Sequence, residues 1–298
     1  MNNTIGVFHR IPTQVKFDPQ ERAAQLKAFR EFYSCQAWDV RGFSYEGKQA
    51  TGSKEYAKDD IDALIASGAT DGFDPHFRHI LGGRKSSGKA CGQAQQGGQD
   101  SVAFDVHGCG DDTSLHESMH CGIGDGTPSF QGCGLGHSHQ LESNGKISIM
   151  GDWAGLMGAG PGQGLLSAHI VCLGWNRPKE TIYIEESQTV KIAPVEMAGL
   201  HPDEYKHVII RGKPDLYLST RLNYPYLCDR TQPKERLYLH EFYPHGHPSI
   251  PGDFPNTTLR LPDLMPGDAM HGSVTVRYVE WDEGIARVEI TMFEEQTP

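Results

Sequence analysis

His116-Glu117-Ser118-Met119-His120 sets two imidazoles four residues apart, with a carboxylate beside the first. On a helix that spacing places His116 and His120 one turn apart on the same face, so both rings can reach one zinc ion. Glu117 then stands next to the ion without being needed to hold it. A carboxylate so placed can take a proton from water and pass it to a leaving amine, which is metallohydrolase chemistry. A catalytic zinc usually keeps three protein ligands and one open position, so the chain has to supply one more. The tightest spacing for it, HExxHxxGxxH, falls at position 126, which is Gly126. The neighbouring side chains of ligand type are Asp125, His137, His139 and Glu142.

The elements that would position this motif are legible in part. Val102-Ala103-Phe104-Asp105-Val106 alternates like a strand, and Asp111, Asp112 or Ser114 can cap a helix after it. Gly108 and Gly110 upstream, with Gly122 and Gly124 downstream, keep that helix to about three turns. A strand in this place is expected to line a cleft and to pair with an extended substrate. Further upstream, Thr4 to Phe8 reads as a strand and Trp38 to Phe43 as another. Asp18, Pro19 and Glu21 mark the start of a helix with Leu26, Phe29 and Tyr33 on one face. Ile61, Leu64 and Ile65 mark a second, stopped by Gly68. From Gly82 to Gly98 the chain turns to Gly, Ser, Gln and Lys, which predicts a mobile surface loop. It lacks the GxxxxGK[ST] pattern of a phosphate loop.

Beyond Trp175 come short alternating runs: Thr181 to Ile184, Thr189 to Ile192, His207 to Ile210, Leu216 to Thr220, Leu237 to Phe242, Thr258 to Leu261, Ser273 to Val279 and Ile285 to Met292. With no helix signal between them they predict an antiparallel sandwich or barrel. His240-Glu241, His245 and His247 gather in this part, but Pro244, Gly246 and Pro248 make the stretch a turn after a strand rather than a metal site. Trp281 reads as packing.

The 298 residues suffice for one large domain or two smaller ones, and the net charge of −11 argues against nucleic acid or an anionic membrane as a main partner. No run of 18 apolar residues occurs, so no membrane insertion is expected. The opening MNNTIGVFHRIP lacks the basic start and apolar core of an export leader. Cys121 and Cys133 bracket the segment GIGDGTPSFQG, and the readings open for them are a bridge that stiffens a Gly-rich loop or two reduced thiols.

Cys133-Gly134-Leu135-Gly136-His137-Ser138-His139, followed by Ser148-Ile149-Met150-Gly151 and Leu156-Met157-Gly158, resembles the gametolysin-like metallopeptidases of the metzincin clan. Leu166-Ser167-Ala168-His169 and Leu173-Gly174-Trp175 are similar to the segment that follows the family's methionine turn. The resemblance implies Zn2+ on His116, His120 and His137, Glu117 as general base, and His139 as a neighbour or rival ligand. It also implies that Met150 or Met157 forms the floor under the metal. The expected architecture is an α/β metzincin-like catalytic domain over residues 1–180, then an antiparallel β-sandwich-like domain over 181–298. The expected activity is endopeptidase cleavage of protein or peptide substrates, in an extracellular or exported protein. The competing expectation is a metzincin-like protein that has lost catalysis and recognises extracellular protein or glycan.

Overall fold

Runs in which every second residue is apolar suit a strand, because its side chains alternate between two faces. The structure, a computed structural model, describes residues 6–10, 44–47, 78–81, 92–94, 100–103, 112–121, 134–158, 164–197, 199–221 and 235–293. These residues are mostly β-sheet, which corrects the expected α/β metzincin-like domain. Among them, helix is confined to α1 (Asp112–His120), α2 (Ser167–Cys172) and a 3-10 turn at Pro178–Glu180. The helices expected from Asp18 and around Ile61, and the strand expected at Trp38 to Phe43, lie outside the described residues. The chain forms two compact units, one of residues 1–136 with 173–175 and the other of 137–172 with 176–298.

The first unit holds β1 (Gly6–Arg10), β2 (Ser44–Gly47), β3 (Arg78–Leu81), β4 (Gly92–Ala94) and β5 (Asp100–Ala103). Their order in the sheet is β2-β1-β3-β5-β4. All neighbours run parallel except β4, which lies antiparallel to β5 at the edge through Gly92↔Ala103, Gln93↔Val102 and Ala94↔Ser101. β4 therefore occupies part of the stretch expected to be a mobile loop. Gly-Gln-Ala has no branched or aromatic residue to announce a strand, and its pairing with β5 is what orders it. α1 packs against β3, β4 and β5.

The second unit contains a seven-stranded sheet and a five-stranded sheet. Its strands are β6 (Ser138–Leu141), β7 (Ile147–Ser148), β8 (Thr181–Ile184), β9 (Gln188–Ile192), β10 (Glu204–Tyr205), β11 (His207–Ile210) and β12 (Asp215–Ser219). They continue with β13 (Tyr238–Tyr243), β14 (Thr257–Arg260), β15 (Ala269–His271), β16 (Val274–Asp282) and β17 (Ile285–Met292). The larger sheet has the order β7-β6-β14-β13-β12-β11-β8 and the smaller β10-β9-β17-β16-β15. Each alternating run read from the sequence beyond Trp175 overlaps a strand, but the sheets are mixed rather than purely antiparallel. β14·β6, β11·β8 and β10·β9 are parallel pairs.

The core between the sheets includes Val208, Ile210, Leu216 and Leu218 from the larger and Val190, Val276, Val288 and Ile290 from the smaller. Ile209, on the other face of β11, packs with Tyr217 and with Ala168 of α2. β11 is thus buried on both sides, which explains its unbroken apolar run Val208-Ile209-Ile210. The stretch after His137, expected to belong to the α/β metzincin-like domain, forms the hairpin β6–β7. Its Asn144-Gly145 turn, with Gly145 at φ 78, is closed by Glu142 and Lys146.

Candidate metal centre

α1 ends at His120, and the next described segment of the chain is fastened back onto that end. The Leu135 N–H donates to the Met119 carbonyl at 3.0 Å, and the Leu135 carbonyl accepts from His120 Nδ1 at 2.6 Å. A carbonyl only accepts, so His120 carries its proton on Nδ1 and turns a lone pair out at Nε2. His120 Nε2 lies 3.2 Å from His116 Nε2. Two nitrogens bound to one tetrahedral ion at ordinary zinc–nitrogen length would stand about 3.3–3.4 Å apart. His137 comes two residues after the fastened Leu135, and the ligand atoms of His116, His120 and His137 all lie within 4.8 Å of one another. Among the described residues this is the group of His, Cys, Asp or Glu side chains that could hold a metal.

Glu117 is buried, and burial pushes its carboxyl up to about 8. The shift describes the side chain without a cation beside it, and a nearby cation acts in the opposite direction. Its place depends on Gly92 of the edge strand β4. A Cβ built on Gly92 would come within 2.6 Å of Glu117 Oε1 and 2.7 Å of Cδ, so any larger residue there would make the carboxylate shift.

His139 is placed differently from His137. It is fully buried, its Nδ1 accepts from the Met150 N–H at 3.0 Å, and its Nε2 faces Asp253 Oδ1 at 3.2 Å. Both ring nitrogens are thereby engaged away from the group of three histidines. The His137 carbonyl accepts from the Thr258 N–H at 3.1 Å, and its half-buried ring stands 6.4 Å from that of His139. Glu142 is exposed at the hairpin turn and accepts from Asn144, while Asp125 lies outside the described residues. Met150 sits in a turn at φ 54, and Met157 is fully buried with its carbonyl on the Ser138 N–H. Cys121 is buried, no disulfide is found among the described residues, and Cys133 lies outside them.

His240 of β13 and His247 in the turn after it are held in hydrogen bonds within the second unit. His240 Nε2 donates to Asp152 Oδ2 at 2.9 Å, and Arg260 Nη1 reaches Asp152 Oδ1 at 3.2 Å. Burial alone would raise the Asp152 carboxyl, but the His240 hydrogen bond and the Arg260 charge outweigh it and hold it below the usual range. His247 donates its N–H to Asp253 Oδ2 at 2.8 Å and accepts the Ser249 N–H at Nδ1. Sequence reasoning missed three groups around the centre: Gly92, the Leu135 carbonyl, and Asp253 with Phe254. Gly92 lies in a polar low-complexity stretch, and Asp253-Phe254 lies in a turn without periodicity, so neither carries a local signal.

No protein-family model matches the chain, and no curated protein matches it. No described helix is long and apolar enough to cross a membrane.

Proposed function

We propose that this chain is a zinc-dependent endopeptidase, with His116, His120 and His137 as the metal ligands and Glu117 as the general base. The observation that carries this reading is the convergence of three imidazoles beside a buried carboxylate. Neutral nitrogen ligands with an open fourth position suit zinc, which when bound supplies Lewis acidity and lowers the pKa of water toward neutrality. The hydrogen bond from His120 Nδ1 to Leu135 fixes that ring and raises the basicity of its Nε2. Glu117 takes the proton from the attacking water and delivers it to the leaving nitrogen. β4 supports a peptide as the substrate. Among the described residues it is an edge strand, it lies beside Glu117, and an extended backbone can pair along such an edge.

Purified protein should carry about one zinc per chain. His116→Ala, His120→Ala and His137→Ala should each lose it, and His139→Ala should keep it. Glu117→Gln should retain zinc and cut peptides about 10²–10⁴-fold more slowly. Full zinc retention in the His116 and His120 variants, or undiminished cleavage by Glu117→Gln, would overturn the reading.

A further inference from the structure

Asn144 is followed by Gly145, no other asparagine of the chain is followed by glycine, and the hairpin β6–β7 holds this step out into solvent. Asn144 and Gly145 are both exposed, and a Cβ built on Gly145 meets nothing within 4 Å. The Asn144 side chain is nevertheless held in one direction. Its Oδ1 accepts the Lys146 N–H at 2.8 Å, which folds it back across Gly145 and carries Cγ toward the Gly145 nitrogen. Its Nδ2 donates to Glu142 Oε2 at 3.1 Å. An amide carbon turned toward the next backbone nitrogen, with no side chain on that next residue to keep it off, is the starting arrangement for ring closure.

We infer that Asn144 is a self-modification site, at which the Gly145 nitrogen closes on Asn144 Cγ, ammonia leaves, and water opens the ring to a carboxylate. The Gly145 nitrogen gives its proton to base and forms the N–Cγ bond. The negative charge of the tetrahedral centre falls on Oδ1, to which the Lys146 N–H already points. The Cγ–Nδ2 bond then breaks, and Nδ2 departs as ammonia with a proton from water, leaving a five-membered imide. Water adds to either imide carbonyl. Addition at Cγ breaks the N–Cγ bond and gives aspartate. Addition at the Asn144 backbone carbonyl breaks the old peptide bond and gives isoaspartate, with the main chain running through Cβ and Cγ. Water is the sole co-reactant and ammonia the sole leaving group. One bond holds the reaction back, because the Gly145 N–H donates to the Glu142 carbonyl at 2.9 Å and must be released first. Local opening releases it in the folded chain: β7 is two residues long, pairs with β6 through Gln140↔Ser148 and Leu141↔Ile147, and is an edge strand among the described residues. The inference stands apart from the metal reading and would survive its failure.

The full chain, kept folded in mildly alkaline buffer and sampled over weeks, tests this by peptide mapping with mass spectrometry. Position 144 should change from amide to acid, as aspartate and isoaspartate together. It should do so about tenfold or more faster than Asn176, whose next residue is Arg177, a difference of about 1.4 kcal/mol in the barrier. The rate should rise with pH, because the attacking nitrogen has to lose its proton. In water enriched in heavy oxygen the new carboxylate should carry the label. Asn144→Gln, which would have to close a six-membered ring, should keep the circular dichroism of the parent and remain an amide. An amide that persists at 144 in the folded chain, or one that converts no faster than Asn176, would overturn the inference. So would conversion that begins only once urea has unfolded the chain, since the hairpin would then lock the step rather than present it. A product without the heavy oxygen would overturn the opening of the ring by water.

Discussion

In the proposed reaction Glu117 acts from the position that Gly92 leaves open to its carboxylate. Gly92→Ala should therefore slow peptide cleavage by about tenfold or more and leave the zinc content unchanged, because a displacement of about 1 Å in a catalytic group is enough for that. Metal analysis alongside steady-state kinetics checks it, and an unaltered rate would show that the carboxylate tolerates the methyl. At this scale the pair His116 and His120 was fully legible, since helical spacing alone puts them on one face. The choice between His137 and His139 was not. Residues two apart on a strand share a face, so strand geometry cannot separate them. What separates them is that Met150 and Asp253 hold the ring of His139, and Asp253 stands 114 positions away in the chain.

The elements of the second unit are tied by buried polar contacts as well as by apolar packing. Arg221, just past β12, donates to Glu196 from Nε and Nη2 at 3.0 and 2.7 Å and to the Ala154 and Gly164 carbonyls from Nη1. Both charged side chains are nearly inaccessible, at 3% and 5% exposure. Arg221→Ala should cost about 3–5 kcal/mol in a urea unfolding experiment, because it removes a buried guanidinium bonded to Glu196 and to two carbonyls. Replacing Glu196 by Leu in the same chain should restore much of the loss. A double variant no more stable than the single one would point to the two carbonyls as the important partners. The strands of this unit were legible because alternation is a local property, visible in β16 and β17 as buried positions at every second residue. Strand order and direction were not, since they are fixed by partners far apart in sequence. The α/β expectation failed for the same reason: the stretch after His137 pairs with β14, and nothing near it in the sequence announces that partner.

For the molecule as a whole, acid should unfold the protein partly through His207. This ring is buried, with Ser167 Oγ 2.8 Å from its Nδ1, and burial together with the charge of Lys206 pushes its pKa down to about 3. Between pH 6.5 and 3 the unfolded chain takes up a proton that the folded chain refuses, so stability falls as pH falls, by about 1.4 kcal/mol per pH unit from this group. Above pH 6.5 the ring is neutral in both states and the contribution is constant. Other groups titrate in the same window, so the measurement is a difference: His207→Asn should unfold with a slope against pH that is shallower by about that amount. Equal slopes would show that the ring reaches water or a charge partner before it is protonated. The parallel pairing of β6 with β14 has a further consequence, in time rather than in space. Ser138 pairs with Thr258, and the Thr258 N–H also holds the His137 carbonyl. On a ribosome adding about 5–20 residues each second, roughly ten seconds pass between the emergence of these two segments. Throughout that interval a nascent chain has the helical histidine pair alone, and the segment that carries His137 is anchored only once β14 has been made.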